Sequence, residues 1–313
     1  MSETKEFKMS KISGIKDLLE RITLPRWVQI KEEILEKEKE LIYQAQIGNR
    51  LDTTHKEMVL NSIIDNRIPD HPKDLNRLMM QFITSAFTYT VLREDLKRQF
   101  KQIFGKDGYP VLDDYKFLLS NIFHEPKFED ETNWHPEKLL EIAEAIQGQN
   151  GYDLKSKQTK PRIIAVLLTA PPVINTIFGN NLHKKYEEIE KIQDIPDAIN
   201  RAVELWSFAE NVHYYGGKKI RNVGTALVCD FLKESGFKNY AKIDFQMIKA
   251  ISDLLGEGCK KFNNFDLFVA TQWIAQNIDM TPFRLDKILY VHGWMNGKNN
   301  RRRLRSCLSP TKT

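Results

Sequence analysis

The sequence predicts a mainly α, all-helical fold, on three observations. Apolar residues recur at three- and four-residue spacing through most of the 313 residues, glycine is scarce at 15, and tight turn pairs are few. Amphipathic helices are expected over residues 25–44, 73–104, 136–147, 196–215 and 281–294. Two of them carry start signals: His135-Pro136 and Thr281-Pro282 each put proline in a first helical turn, where its missing N–H costs nothing. The apolar run 162–169 fits a buried strand or a helix segment, and Pro171-Pro172 ends whatever precedes it. Loops or seams are expected near 106–110, 148–160 and 179–181, where Gly, Asn, Asp and Lys gather without apolar periodicity.

Composition excludes several classes. Three cysteines, Cys229, Cys259 and Cys307, are too few for a disulfide framework or a four-thiolate metal site, so a reducing, cytoplasmic or nucleoid-associated location is expected. No apolar run reaches the ~18 residues of a membrane span, and no membrane partner is expected. Gly-x-Gly-x-x-Gly, Walker and Gly-x-Ser-x-Gly patterns are all missing, which argues against a nucleotide cofactor and against serine hydrolysis. His124, Glu125 and His135, close to Glu129, Asp130 and Glu131, match no metal-ligand spacing, and no metal site is expected.

The net charge of +5 is mild, but its distribution is uneven. Residues 201–313 hold 18 Lys+Arg against 10 Asp+Glu, while residues 1–200 carry a balance of −3. The chain therefore divides into an N-terminal helical region, 1–200, and a basic C-terminal region, 201–313, that ends in an arginine-rich tail at 299–305. A polyanion partner fits that asymmetry.

The chemistry is concentrated between Gly216 and Gly256. A turn at Asn222-Val223-Gly224 precedes an apolar helix pattern, so the exposed amides of Val223, Gly224 and Thr225 would stand beside Lys218, Lys219 and Arg221. Such a helix start binds phosphate oxygens without reading sequence. The helix stops at Ser235-Gly236, and a short loop then delivers Asp244 to the mouth of a second helix. Asp244 is also a good N-cap for Phe245-Gln246-Met247-Ile248, a role that needs no catalysis.

Ile220-Arg221-Asn222-Val223-Gly224, a helix, and Asp244-Phe245-Gln246-Met247 twenty residues on together resemble the helix-hairpin-helix DNA glycosylases, with their Leu-Pro-Gly-Val-Gly hairpin and catalytic Asp-x-His-Val. Tyr240-Ala241-Lys242-Ile243-Asp244 is similar to the Ala-Lys-Pro-Asp version of alkylation-repair-like relatives, and 283–290 to a late family helix. The resemblance implies two helical lobes with the site in the cleft between them. It also implies a double-stranded DNA partner carrying a damaged or modified base, and Asp244 as the catalytic carboxylate.

Lys218, Lys219, Arg221, Asn222, Val223, Gly224 and Thr225 would then contact the DNA, and the hairpin carbonyls could hold a monovalent cation. Lys242, Phe245, Gln246, Trp206, Tyr214, Tyr215 and Trp273 are the candidates for the pocket that receives a flipped base. Ala226 stands where bifunctional members carry their lysine, so the resemblance implies a monofunctional hydrolase. Gly216-Gly217 falls where the first hairpin helix would run, so that helix is very short or ends before the turn. The rival readings are a non-catalytic DNA-binding module, and a lyase using Lys218, Lys219 or Lys242 as its amine.

Overall fold

The computed structural model describes residues 13–87, 166, 170, 173–179, 181–215, 218–220, 223–256 and 262–297. These are mostly helical, in agreement with the apolar periodicity. The helices are α1 (Ser13–Glu20), α2 (Leu24–Gln46), α3 (Thr53–Val59), α4 (Leu75–Phe87), α5 (Leu182–Gln193), α6 (Ala198–His213), α7 (Thr225–Glu234), α8 (Phe245–Leu255), α9 (Asn264–Asn277) and α10 (Pro282–Gly297). A π-helical turn, Leu60–Ile64, continues α3. The expected helices at 136–147, and at 73–104 beyond Phe87, lie outside the described residues, as do the loops at 106–110 and 148–160. Within the ambiguous run, Val166 is helical and buried.

The chain forms two units, each assembled from separate stretches. One comprises Met1–Pro69, Ile189–Ser207 and Gly236–Thr313; the other comprises Asp70–Glu188 and Phe208–Ser235.

In the first unit α10 is the common neighbour, packing against α2, α3, α8 and α9. Its start is fixed as the Thr281-Pro282 signal requires: the Thr281 hydroxyl accepts the Arg284 amide at 3.2 Å. Arg284 then binds Glu38 of α2 through Nε (2.9 Å) and Nη2 (2.6 Å), and donates to Asn66 Oδ1 at 3.0 Å. Asn66 follows the π turn in the left-handed region (φ 49°), which asparagine tolerates better than most residues. His55 of α3 stacks on Trp294 of α10 with ring centroids 3.8 Å apart. α9 is buried on nearly every side, with Phe265, Leu267, Phe268, Val269, Ala270 and Ile274 all in the core. Its start is fixed by a reciprocal capping box between Asn263 and Asp266.

In the second unit α4 packs on α7, with Phe82 edge-on to Phe231 at 5.1 Å and Phe178 edge-on to both Phe208 (6.3 Å) and Phe231 (6.4 Å). His71 stacks on Tyr186 at 4.9 Å, and the Tyr186 hydroxyl donates to Pro72 O. Burial, helped by Asp74, pushes the Tyr186 phenol well above its ordinary range. Asn181 caps α5 by accepting the Lys184 amide at 3.0 Å, so the expected break at 179–181 is real. Gly179 is required there, because a Cβ would stand 2.4 Å from Asn175 O.

One expected boundary differs. The helix predicted over 196–215 ends at His213, and Tyr214–Tyr215 instead pairs antiparallel with Lys218–Lys219, the only extended pairing among the described residues. Two glycines at 216–217 disfavour continued helix, and aromatic residues suit a strand, so the ladder takes over.

Candidate functional site

α7 ends at Glu234 with Ser235 as its C-cap, and Gly236 adopts φ 98°, a conformation natural to glycine. The stretch that follows is a loop whose apolar side chains are buried in the surrounding core. Phe237, Tyr240, Ala241 and Ile243 are all essentially inaccessible, so the backbone cannot swing outward without exposing them.

Hydrogen bonds from distant helices fix this loop residue by residue. Asn239 donates its backbone N–H to Gln193 Oε1 (2.9 Å) and its side-chain amide to Gln193 O (3.0 Å), and its carbonyl accepts from Gln272 Nε2. The Tyr240 hydroxyl donates to Leu205 O at 2.9 Å, and Phe283 N donates to Lys238 O at 2.9 Å. Asp286 of α10, 2% exposed, accepts the Lys242 N–H through Oδ2 at 3.1 Å. The Lys242 carbonyl in turn accepts the Asp244 N–H at 2.9 Å.

Asp244 sits at the end of this chain of contacts in an extended conformation (φ −96°, ψ −178°). Its Oδ1 accepts the amides of Gln246 (2.9 Å) and Met247 (3.1 Å), which places a carboxylate on the positive end of α8. Removing the Lys242 acceptor by Asp286→Ala is expected to cost about 1–3 kcal/mol, because it leaves a half-buried N–H unsatisfied. Asp286→Asn, which keeps an acceptor oxygen, should cost clearly less in urea unfolding.

The phosphate-binding candidates precede α7. Ile220 donates to His213 O at 3.1 Å, and Ile220 and Val223 are buried, which anchors the turn from inside. Gly224 is exposed, stands as the N-cap of α7 with φ −99°, ψ 166°, and brings no side-chain cap to the first-turn amides. A Cβ on Gly224 would meet nothing within 4 Å, so its backbone faces open space. Thr225 is half-buried, and Lys218 and Lys219 form the second strand of the short ladder. Arg221 and Asn222 lie outside the described residues.

The base-pocket candidates belong to several elements. Lys242, Phe245 and Gln246, half-buried, flank Asp244 at the mouth of α8. The Gln246 amide lies against α10: a Cβ added to Gly293 would stand 2.7 Å from Gln246 Oε1. Trp206 belongs to the core, 6% exposed, with its ring centroid 5.6 Å from Phe265 and 5.4 Å from Phe268. Tyr214, 51% exposed, pairs through its backbone with Lys219, as does Tyr215 with Lys218. Trp273, half-buried, keeps its indole N–H buried without a hydrogen-bond partner among the described residues.

Sequence reasoning missed Asp286, Gln193 and Gln272, which hold the loop rather than occupy its tip. Cys229 is fully buried in α7, and burial, with Asp230 and Glu210 adding to it, holds its thiol well above the usual range. Cys259, Cys307, His124 and His135 lie outside the described residues, among which no three His, Cys, Asp or Glu side chains gather as metal ligands. No described helix is long and apolar enough to cross a membrane. Compared with protein-family models, curated proteins and solved structures, the chain matches none.

Proposed function

We propose that the chain is a monofunctional DNA glycosylase, with Asp244 as its catalytic carboxylate and the segment from Lys218 to Thr225 as its phosphate clamp. The observation that carries this reading is a carboxylate held at the start of α8 on a loop fixed by buried hydrogen bonds, twenty residues after an uncapped, exposed helix start at Gly224. The two amide contacts are those of an N-cap, and the buried hydrogen bonds of the preceding loop hold the carboxylate in one place, as a group acting on a bound sugar requires. The finer architecture implied by the family resemblance, a helix-hairpin-helix with its site in a cleft between two helical lobes, belongs to this proposal.

Breaking the bond from C1′ to the base develops positive charge on the deoxyribose ring. A carboxylate beside the ring stabilises that charge and orients a water. The water oxygen bonds to C1′, one of its protons leaves through the carboxylate, and the base departs with the bonding pair, leaving an abasic site. With Ala226 in place of the family's lysine, no amine at that position competes with the water. Unstacking the target nucleotide and seating it in a pocket come first.

Incubating the chain with duplexes carrying alkylated, oxidised, deaminated and hypermodified bases, followed by hot alkali, tests the proposal. Alkali-dependent breaks on one substrate class are expected. Breaks on no substrate, with salt-sensitive binding retained, would favour a non-catalytic DNA-binding module, and a borohydride-trapped adduct would favour the lyase. Lys218→Ala with Arg221→Ala should weaken binding on every sequence and make its salt dependence shallower by about one unit of slope per lost phosphate contact. An unchanged slope would remove this segment from the clamp.

A further inference from the structure

α2 turns one face inward, with Ile30, Ile34, Glu38, Leu41 and Ala45 buried. The opposite face carries Val28, Glu32, Glu36, Lys39 and Tyr43, all exposed, and is extended at its two ends by Leu24 and Ile47. The apolar members are unusually open: Leu24 is 77%, Val28 50%, Tyr43 55% and Ile47 75% exposed. Several charges elsewhere on this helix find partners within the chain, as Glu33 does with Arg26, Glu38 with Arg284 and Glu40 with Arg50. Glu32 and Lys39 have no ion-pair partner among the described residues.

The order of these residues is self-complementary. When α2 lies antiparallel on a second α2 about a two-fold axis between Leu35 and Glu36, Leu24 faces Ile47, Val28 faces Tyr43 and Glu32 faces Lys39, each pair occurring twice. One register therefore satisfies all three pairings, and it also sets the two helix dipoles antiparallel. Glu36, near the axis, comes within a turn of the opposing Lys39 and shares its charge. A heterologous partner would have no reason to reproduce that internal symmetry, whereas an isologous contact requires it.

We propose that the exposed face of α2 is a dimer interface whose occupant is α2 of a second copy of this chain, in this antiparallel register. The 23-residue helix spans roughly 34 Å, and one helix face contributes less than the roughly 800 Å² per partner of a standard interface, so the dimer is a weak one. The inference is independent of the glycosylase reading.

Sedimentation equilibrium of the full chain, of Glu32→Lys, of Lys39→Glu and of an equimolar mixture of the two variants tests it. The wild type should dimerise with a Kd on the order of 10–100 µM. Either variant alone opposes like charges at both symmetry-related positions and should weaken the dimer about tenfold or more. Mixing them restores opposite charges at both positions, so the mixture should form a heterodimer with near wild-type affinity, which also certifies that both variants are folded. A wild type that stays monomeric at about 200 µM overturns the proposal. So does a dimer that neither variant weakens, or a mixture that stays monomeric.

Discussion

Asp244→Asn is expected to lose base excision by at least about a hundredfold, the scale on which removing one preorganised electrostatic group acts, while binding the same duplex with nearly unchanged affinity. The substitution suits the question because asparagine is as good an N-cap as aspartate. Its Oδ1 can accept the Gln246 and Met247 amides as the carboxylate does, so α8 should start where it does now. What disappears is the negative charge and, with it, the capacity to take a proton from the attacking water, and the proposed chemistry uses both. Asp244→Ala separates the two roles from the other side. It should lose excision equally and also cost about 1 kcal/mol of stability through the vacated cap. Single-turnover excision and urea unfolding on the three proteins resolve the matter. An Asp244→Asn variant working at the wild-type rate would leave Asp244 as a cap and nothing more.

Lys233→Met is expected to destabilise the second unit by about 3–5 kcal/mol, although Lys233 would pass for a surface residue in a sequence reading. Its ammonium lies 3.0 Å from Asp230 Oδ1 and 3.5 Å from Glu234 Oε1, and the Lys233 and Asp230 side chains are 5% and 7% exposed. Methionine fills the space of the lysine stem but leaves the Asp230 carboxylate buried without that cation. Pairing it with Asp230→Asn should recover much of the loss, because a buried pair exchanged for neutral groups is often close to neutral in stability. Urea midpoints of the two single variants and the double variant measure the coupling. Purely additive losses would mean that the two side chains do not act as a pair.

Local chemistry explains why some of this structure was legible in advance. α10 starts at the Thr281-Pro282 signal, α2 at a proline, and α7 stops at Ser235-Gly236, since caps and stops depend on residues within one turn of one another. α8 exposes the limit of such reading. Its start at Asp244 follows from capping chemistry, but the partners that fix the loop before it, Gln193 for Asn239 and Asp286 for Lys242, lie 46 and 44 residues away in sequence. No spacing rule announces them. Lys233 was counted within the basic surplus of residues 201–313, yet it is buried against carboxylates and adds nothing to a surface charge. Trp206 looks the same in sequence whether it faces a ligand or Phe268, and only packing distinguishes the two.

The central place of α10 in the first unit has a consequence for the chain as it is made. The apolar face of α2, with Ile30, Ile34 and Leu41, is complete more than two hundred residues before its α10 partner begins at Pro282. At ordinary elongation rates that interval lasts roughly 10–50 s. During it the nascent α2 must keep its inner face covered by local neighbours such as α3, or by a chaperone. Translation speed across the intervening residues therefore governs how long the helix is open to aggregation.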